Sequence, residues 1–212
     1  MYACAKICGL STPATLDAAV AGGASHVGFV FFAASPRNVG PELAAGLAAR
    51  VPGHVRRVGV FVDPDDALLD AAVAAGRLDS IQLHSTAPER VAEIRGRLRR
   101  DTWAAVPVKT GADLDAARGY VGAADRILYD AKTPAGAALP GGMGMRFDWT
   151  LLDGFAHPLA WALSGGLDAA NVGEAIARTG ARLVDVSSGV ESEPGVKDTS
   201  KITAFLAAVA RG

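Results

Sequence analysis

The stretch LAWALSGGLDAANVGEAIARTGARLVDVSSGV, residues 159–190, reads as one complete unit of a parallel sheet. Leu159 to Leu163 is a short apolar run of strand character, Ala169 to Arg178 has helical spacing, and Leu183 to Val186 is a second strand. Two strands joined through a helix run parallel, because the helix carries the chain back to the end where the first strand began. Asp168 supplies helix-start chemistry just ahead of that helix. The polar residues stand where the strands end: Ser164, Gly165 and Gly166 after the first, and Ser187, Ser188 and Gly189 after the second.

The same alternation extends through the rest of the chain. Six further strands are read at Ala3 to Ile7, His26 to Phe31, Arg56 to Phe61, Ser80 to Leu83, Trp103 to Val108 and Arg126 to Tyr129. Helical segments fall at Pro13 to Ala21, Pro41 to Arg50, Asp65 to Ala75, Pro88 to Arg99 and Ser200 to Val209. Ser11 and Thr12 before Pro13, and Asp63 before Pro64, mark helix starts. The weakest segments are the fifth, near Ala112 to Tyr120, and the sixth, a short turn near Trp149 to Leu152. Eight strand and helix units in 212 residues predict an α/β protein, a single (β/α)8 barrel forming one catalytic domain over residues 1–212. A doubly wound open sheet is the alternative, but the first turn after a strand reads CGLSTP and lacks the G-x-G-x-x-G of a dinucleotide site.

Composition narrows the partners. A formal net charge of −1 leaves no basic excess to neutralise a nucleic acid, and the run IRGRLRR at 94–100 reads as a solvated helix face. No apolar run approaches the about 20 residues of a membrane span, and the N-terminus lacks the pattern of a signal peptide, so a cytoplasmic protein is expected. Cys4 and Cys8 fall on one strand. At about 3.3 Å per residue they are too far apart for a disulfide and should be free thiols, Cys4 as a small buried hydrophobe. There is no second cysteine pair and the four histidines are scattered singly, so a zinc site is not expected.

In a barrel the loops after the strands form the active face. Those ends here read Lys6-Ile7-Cys8-Gly9, Ser35-Pro36-Arg37, Gln82-Leu83-His84, Tyr129-Asp130, Ser164-Gly165-Gly166 and Asp185-Val186-Ser187-Ser188-Gly189. Gly-Gly alone is an ordinary turn. Followed one strand later by Ser-Ser-Gly it becomes a candidate phosphate cradle, with backbone N–H groups of Gly165, Gly166, Ser187, Ser188 and Gly189 free to face an anion.

Read together, KICGL at 6–10, GFVFF and SPR within 28–37, VGVFV at 58–62, QLH at 82–84, GG-x-G with FDW at 141–149, SGGL at 164–167 and DVSSGVE with G-x-KD at 185–198 resemble the phosphoribosylanthranilate isomerases of tryptophan biosynthesis over nearly the whole length. The resemblance implies an Amadori rearrangement of a small phosphosugar substrate by general acid/base catalysis that needs no metal or cofactor, with Cys8 as base and Asp130 as acid. It also implies that Arg37 meets the anthranilate carboxylate, since a guanidinium can donate two parallel hydrogen bonds; a surface arginine is the alternative. Phe31 and Phe32 are candidates to cover the aromatic ring. His84 either contacts substrate or braces its strand end, bracing being preferred. Departures from the family text are Asn38, Ser85, Met143 and Met145.

Cys8 can act as a base only as a thiolate, which needs a positive neighbour. Lys6, two residues back on the same strand face, is that neighbour, and Asp185 on the adjoining eighth strand is its expected partner. Asp130 ends the strand RILYD, where a carboxylate could instead cap a turn; as an acid it needs burial under the loop from Ala131 to Arg146, a candidate lid. Rival readings are another phosphosugar barrel enzyme, such as an epimerase or an indole-glycerol-phosphate synthase, and a catalytically silent phosphosugar-binding barrel. A monomer or homodimer is expected.

Overall fold

The computed structural model of the chain describes residues 3–134 and 141–212. Eight parallel strands close into a barrel in chain order, which removes the open-sheet alternative. They are β1 (Cys4–Cys8), β2 (His26–Val30), β3 (Arg56–Val62), β4 (Ser80–His84), β5 (Asp101–Val108), β6 (Arg126–Ala131), β7 (Ala160–Leu163) and β8 (Leu183–Val186). Around them lie α1 (Pro13–Ala21), α2 (Pro41–Ala48), α3 (Asp66–Gly76), α4 (Pro88–Leu98), α5 (Gly111–Leu114), α6 (Val172–Thr179) and α7 (Thr199–Arg211). The two weak segments are weak in the structure also. α5 is one turn that continues as a 3-10 turn at Asp115–Tyr120, and the sixth connection has only the 3-10 turn Trp149–Leu152. Between β8 and α7 the chain makes a small hairpin of β9 (Glu191–Glu193) and β10 (Val196–Lys197), which the strand pattern did not predict.

Helix starts follow local chemistry. Thr12 Oγ1 accepts the Thr15 N–H ahead of α1, and Asp198 accepts from Ser200 and Lys201 at the start of α7. For α3 the expectation is corrected: the cap is Asp65, which accepts the Leu68 N–H at 2.8 Å, whereas Asp63 sits at a φ of 40° in the preceding turn. No helix of the described residues is long and apolar enough to cross a membrane. The arginine run of α4 is spent on the surface, Arg95 on Asp125 and Arg97 on Asp66 and Asp70.

Strand alternation divides the chain into two layers. Ala5, Ile7, Val27, Phe29, Phe31 and Phe61 join the apolar layer between sheet and helices. Phe31 stacks there on Phe61 at 5.3 Å and is therefore turned away from the barrel mouth, contrary to the expected role in ring binding. Inside, Val58, Trp103, Ala105, Leu128, Ala162 and Leu183 plug the lower barrel. Cys4, at the open start of β1, is exposed rather than buried; both cysteines are free.

Above the plug, β1 directs Lys6 and Cys8 inward. Lys6 stands opposite Asp185 in the β1–β8 register, and its Nζ lies 2.9 Å from Asp185 Oδ1 with both side chains almost wholly buried. The expected pairing is present. β2 makes space for it with Gly28, where a Cβ would lie 3.1 Å from Cys8 Sγ and 3.2 Å from Lys6 Cε. Removing one partner of such a pair strands the other charge. Lys6→Met is therefore expected to destabilise the fold by about 3 to 5 kcal/mol in urea titration, and the double change with Asp185→Leu to recover most of that loss.

Candidate active site

A cleft of about 830 Å³, counting its open mouth, occupies the C-terminal end of the barrel. It brings together Cys8, Arg37, His84, Asp130, Gly165, Gly166, Asp185, Ser187 and Ser188 from separate strand ends. Lys6 lies beneath, fully buried. Of the expected aromatic wall only Phe32 lines the cleft, where Val30, Val60, Val62, Met143 and Met145 add apolar surface. Residues 135–140 of the candidate lid lie outside the described residues. Among the described residues no group of His, Cys, Asp or Glu side chains could hold a metal ion.

Asp130 is the most perturbed carboxyl of the cleft. Burial first, and then the charge of Asp185, push it up to about 7, against the Ala131 N–H, the Ser164 hydroxyl and Lys6. Its Oδ1 accepts the Ala131 N–H at 2.9 Å. Gly165, at a φ of 91°, permits this approach: a Cβ there would lie 2.7 Å from Ala131 N and 3.2 Å from Asp130 Oδ1. The N–H groups of Gly165 and Gly166 find no backbone acceptor among the described residues, and Ser188 opens a short turn to Val190 beside them.

Cys8 packs between Val30 and Val60. Burial pushes its thiol above the ordinary value, Asp185 adds to the rise, and Lys6 and Lys197 oppose it. The expected cation is thus in place without bringing the thiol down, because burial outweighs it and Asp185 partly cancels the Lys6 charge. On Lys6 burial works against the charge, yet Asp185 and Cys8 outweigh it and hold the ammonium above its usual value.

Arg37 is buried, not a surface arginine. Its Nε and Nη2 donate to Glu191 at 2.7 and 2.8 Å, and Nη2 also donates to the Gly142 carbonyl at 3.0 Å. Nη1 donates to none of the described residues. Glu191 also receives Lys197 Nζ at 2.6 Å, and that ammonium reaches the Ser187 carbonyl at 2.8 Å and hydroxyl at 3.1 Å. Burial would raise the Glu191 carboxyl, but Arg37 and Lys197 hold it below its ordinary value. Sequence reasoning assigned no role to Glu191 or Lys197, although both stand inside the quoted SSGVE and G-x-KD text; the signal was two opposite charges flanking a two-strand turn. Asn38, one of the departures, accepts the Phe32 N–H at 2.9 Å and so closes the loop that carries Arg37. Ser85, another, adopts a φ of 51°, a left-handed conformation that costs a residue with a Cβ on the order of 1 kcal/mol.

His84 faces the cleft and meets Gln82, whose Nε2 lies 2.9 Å from His84 Nε2. Burial, then the charge of Lys6, lowers its pKa to about 4, so the ring is neutral at physiological pH.

Fold and site together define a (β/α)8-barrel enzyme whose acid/base side chains and glycine-lined pocket share one end of the barrel. The chain belongs to the N-(5'-phosphoribosyl)anthranilate isomerase family, whose model matches residues 5–208. It is 58% identical over 206 residues to the N-(5'-phosphoribosyl)anthranilate isomerase of Zymomonas mobilis subsp. pomaceae, covering 96% of each chain. The phosphoribosyl anthranilate isomerase of Thermotoga maritima superposes with a TM-score of 0.87 at 36% identity, covering 98% of each chain. A phosphoribosyl anthranilate isomerase solved with reduced 1-(o-carboxyphenylamino)-1-deoxyribulose 5-phosphate gives 0.84 at 33% identity, also over 98% of each chain.

Glu191 sits between two buried cations that have no other carboxylate among the described residues. Glu191→Gln is expected to cost about 3 to 5 kcal/mol in chemical denaturation, and to weaken substrate binding by loosening Arg37. A loss below about 1 kcal/mol, the range of exposed pairs, would show that Glu191 does not hold the cluster together.

Proposed function

We propose that the chain, acting as a single catalytic domain, converts N-(5-phosphoribosyl)anthranilate to 1-(2-carboxyphenylamino)-1-deoxyribulose 5-phosphate in tryptophan biosynthesis. The observation that carries the mechanism is Asp130, a carboxyl held near neutrality opposite a cleft that also contains Cys8. Family membership supports the reaction, and the ligand of the solved relative supports the fit of its product type to such a cleft.

The protonated Asp130 gives its proton to the ribose ring oxygen as the C1–O bond breaks, and the anthranilate nitrogen lone pair forms the Schiff base. The Cys8 thiolate then removes the C2 proton, and those electrons neutralise the iminium to give the enolamine. Tautomerisation yields the ketone. Every proton moves between substrate and side chains, and no oxidation occurs. The phosphate lies against the N–H groups of Gly165, Gly166, Ser188 and Gly189 with Ser187 nearby, and the anthranilate carboxylate takes Arg37 Nη1, because Nε and Nη2 are spent on Glu191 and Gly142. The reading includes a cytoplasmic location and a monomer or homodimer.

The two pKa directions make the active form a minority species. The base must be deprotonated while its pKa stands above the ordinary thiol value, and the acid must be protonated while its pKa is about 7. Below about 7 Asp130 is protonated and the thiolate fraction grows tenfold per pH unit; above it the growth in thiolate is offset by loss of the Asp130 proton. The kcat/KM profile is expected to rise with unit slope to about 7 and then level. Asp130→Asn should lower the rate by several orders of magnitude and remove the break. Freshly prepared phosphoribosylanthranilate, followed by loss of its fluorescence, tests both points: no turnover by the wild type sinks the reaction, whereas a full rate in Cys8→Ser sinks only the base.

The folded-state carboxyl of Asp130 is raised, so it contributes stability below its unfolded value of about 4 that is lost as pH rises through about 7. Asp130→Asn should therefore raise Tm at pH 8, a gain that a merely structural Asp130 would not give.

A further inference from the structure

Gln82 has 1% of its surface exposed, yet its side chain borders the cleft. Its amide nitrogen is 2.9 Å from His84 Nε2, and since an amide nitrogen only donates, that ring nitrogen accepts and the neutral ring carries its proton on Nδ1. The other end of the same amide, Oε1, is buried with no hydrogen-bond partner among the described residues. A buried oxygen without a donor costs on the order of 1 to 3 kcal/mol, and a methionine of similar shape would avoid that cost. The neighbours on the barrel wall, Val60 in β3 and Trp103 in β5, stand opposite it in register and offer no hydroxyl or ammonium to fill the vacancy at Oε1. Polar capacity is therefore held open in the lining of the cleft.

We propose that Gln82 is a substrate-contacting residue, its Oε1 accepting a hydrogen bond from a hydroxyl of the ribosyl chain while its amide nitrogen holds His84. The inference rests on the reading of the cleft as the site of the isomerisation. Oε1 can only accept, as do the ionised phosphate and carboxylate of the substrate, so the donors left are the sugar hydroxyls and the anthranilate N–H, of which the hydroxyls are the more numerous. Gln82 is then kept against the interest of stability, as binding residues frequently are.

Gln82→Met tests this through two readouts that a structural role would move together. The expected result is a Tm equal to or above that of the wild type, with kcat/KM for phosphoribosylanthranilate lowered about 10- to 100-fold, the range of a lost bond worth 1.4 to 2.7 kcal/mol at 1.36 kcal/mol per tenfold. An unchanged kcat/KM overturns the proposal. So does a fall in Tm that accompanies the loss of activity, which would make Gln82 a structural brace. The same change in a His84→Leu background separates contact from positioning: a loss of similar size supports direct contact, and no further loss shows that Gln82 acts only through His84. Should the wild type itself fail to turn over the substrate, the reaction assignment fails, and the contact is then judged by calorimetric binding of reduced 1-(o-carboxyphenylamino)-1-deoxyribulose 5-phosphate to wild type and Gln82→Met. Tighter or equal binding by the variant overturns it.

Discussion

The buried pair of Lys6 and Asp185 is the constraint around which the rest of the barrel mouth is arranged. It joins the first strand to the last, so the same interaction that satisfies an ammonium in the interior also fixes the register at the seam where the sheet closes. A slip of one residue would turn Lys6 into the apolar layer beneath the helices, where Ile7 now packs. The pair is costly to desolvate and is not a strong source of net stability by comparison with apolar packing. Its value lies in specificity and in the field it leaves at the cleft. Because the pair is nearly neutral overall, Lys6 only partly offsets the burial of Cys8, while Asp185 raises both the thiol and Asp130.

Burial, with the charge of Asp185 adding to it, holds the Cys8 thiol above its ordinary value and pulls the Asp130 carboxyl up to about 7. A second set of charges sits one layer out. Arg37, Glu191 and Lys197 form a chain from the β2 loop across the hairpin to Ser187, with one carboxylate for two cations. The surplus positive charge lies at the rim of the cleft, beside the Gly142 carbonyl and Ser187. Ser187 links this outer chain to β1: its hydroxyl accepts from Lys197 Nζ and donates to the Cys8 carbonyl at 3.4 Å.

How much of this was legible in sequence follows from the range of each interaction. The eighth strand, Leu183 to Val186, and the first helix, Pro13 to Ala21, were read to the residue because an apolar run and a Thr-Pro start are local signals. The Lys6–Asp185 contact was legible because closure of a barrel makes its first and last strands neighbours and alternation fixes which side chains face in. Phe31 and Cys4 were misplaced for a related reason: two successive phenylalanines must point to opposite faces, and the boundary of β2 at Val30 decides which, while the start of β1 at Cys4 decides exposure. Strand ends are the least determined part of a sequence reading. The Glu191–Lys197 hairpin was missed because three-residue and two-residue strands have too little period to detect, and Arg37 was only half understood because its partner lies 154 positions away.

The unsatisfied oxygen of Gln82 is a different kind of information, available only once every partner can be counted. In a sequence, glutamine at an inward strand position, between Ser80 and His84 on the same face, gives no sign of whether its amide is satisfied. In the folded chain the same side chain has one end bound and one end empty, next to a neutral histidine and above an apolar plug. Most of the barrel interior obeys the rule that buried polar groups find partners: Lys6 has Asp185, Arg37 has Glu191, Trp103 Nε1 has Asp101. An exception inside the cleft means either that selection tolerated a loss of stability there for no return, or that the missing partner arrives with the substrate. Since an isosteric apolar residue is a single substitution away in chemistry and would relieve the cost, retention of the amide favours the second reading.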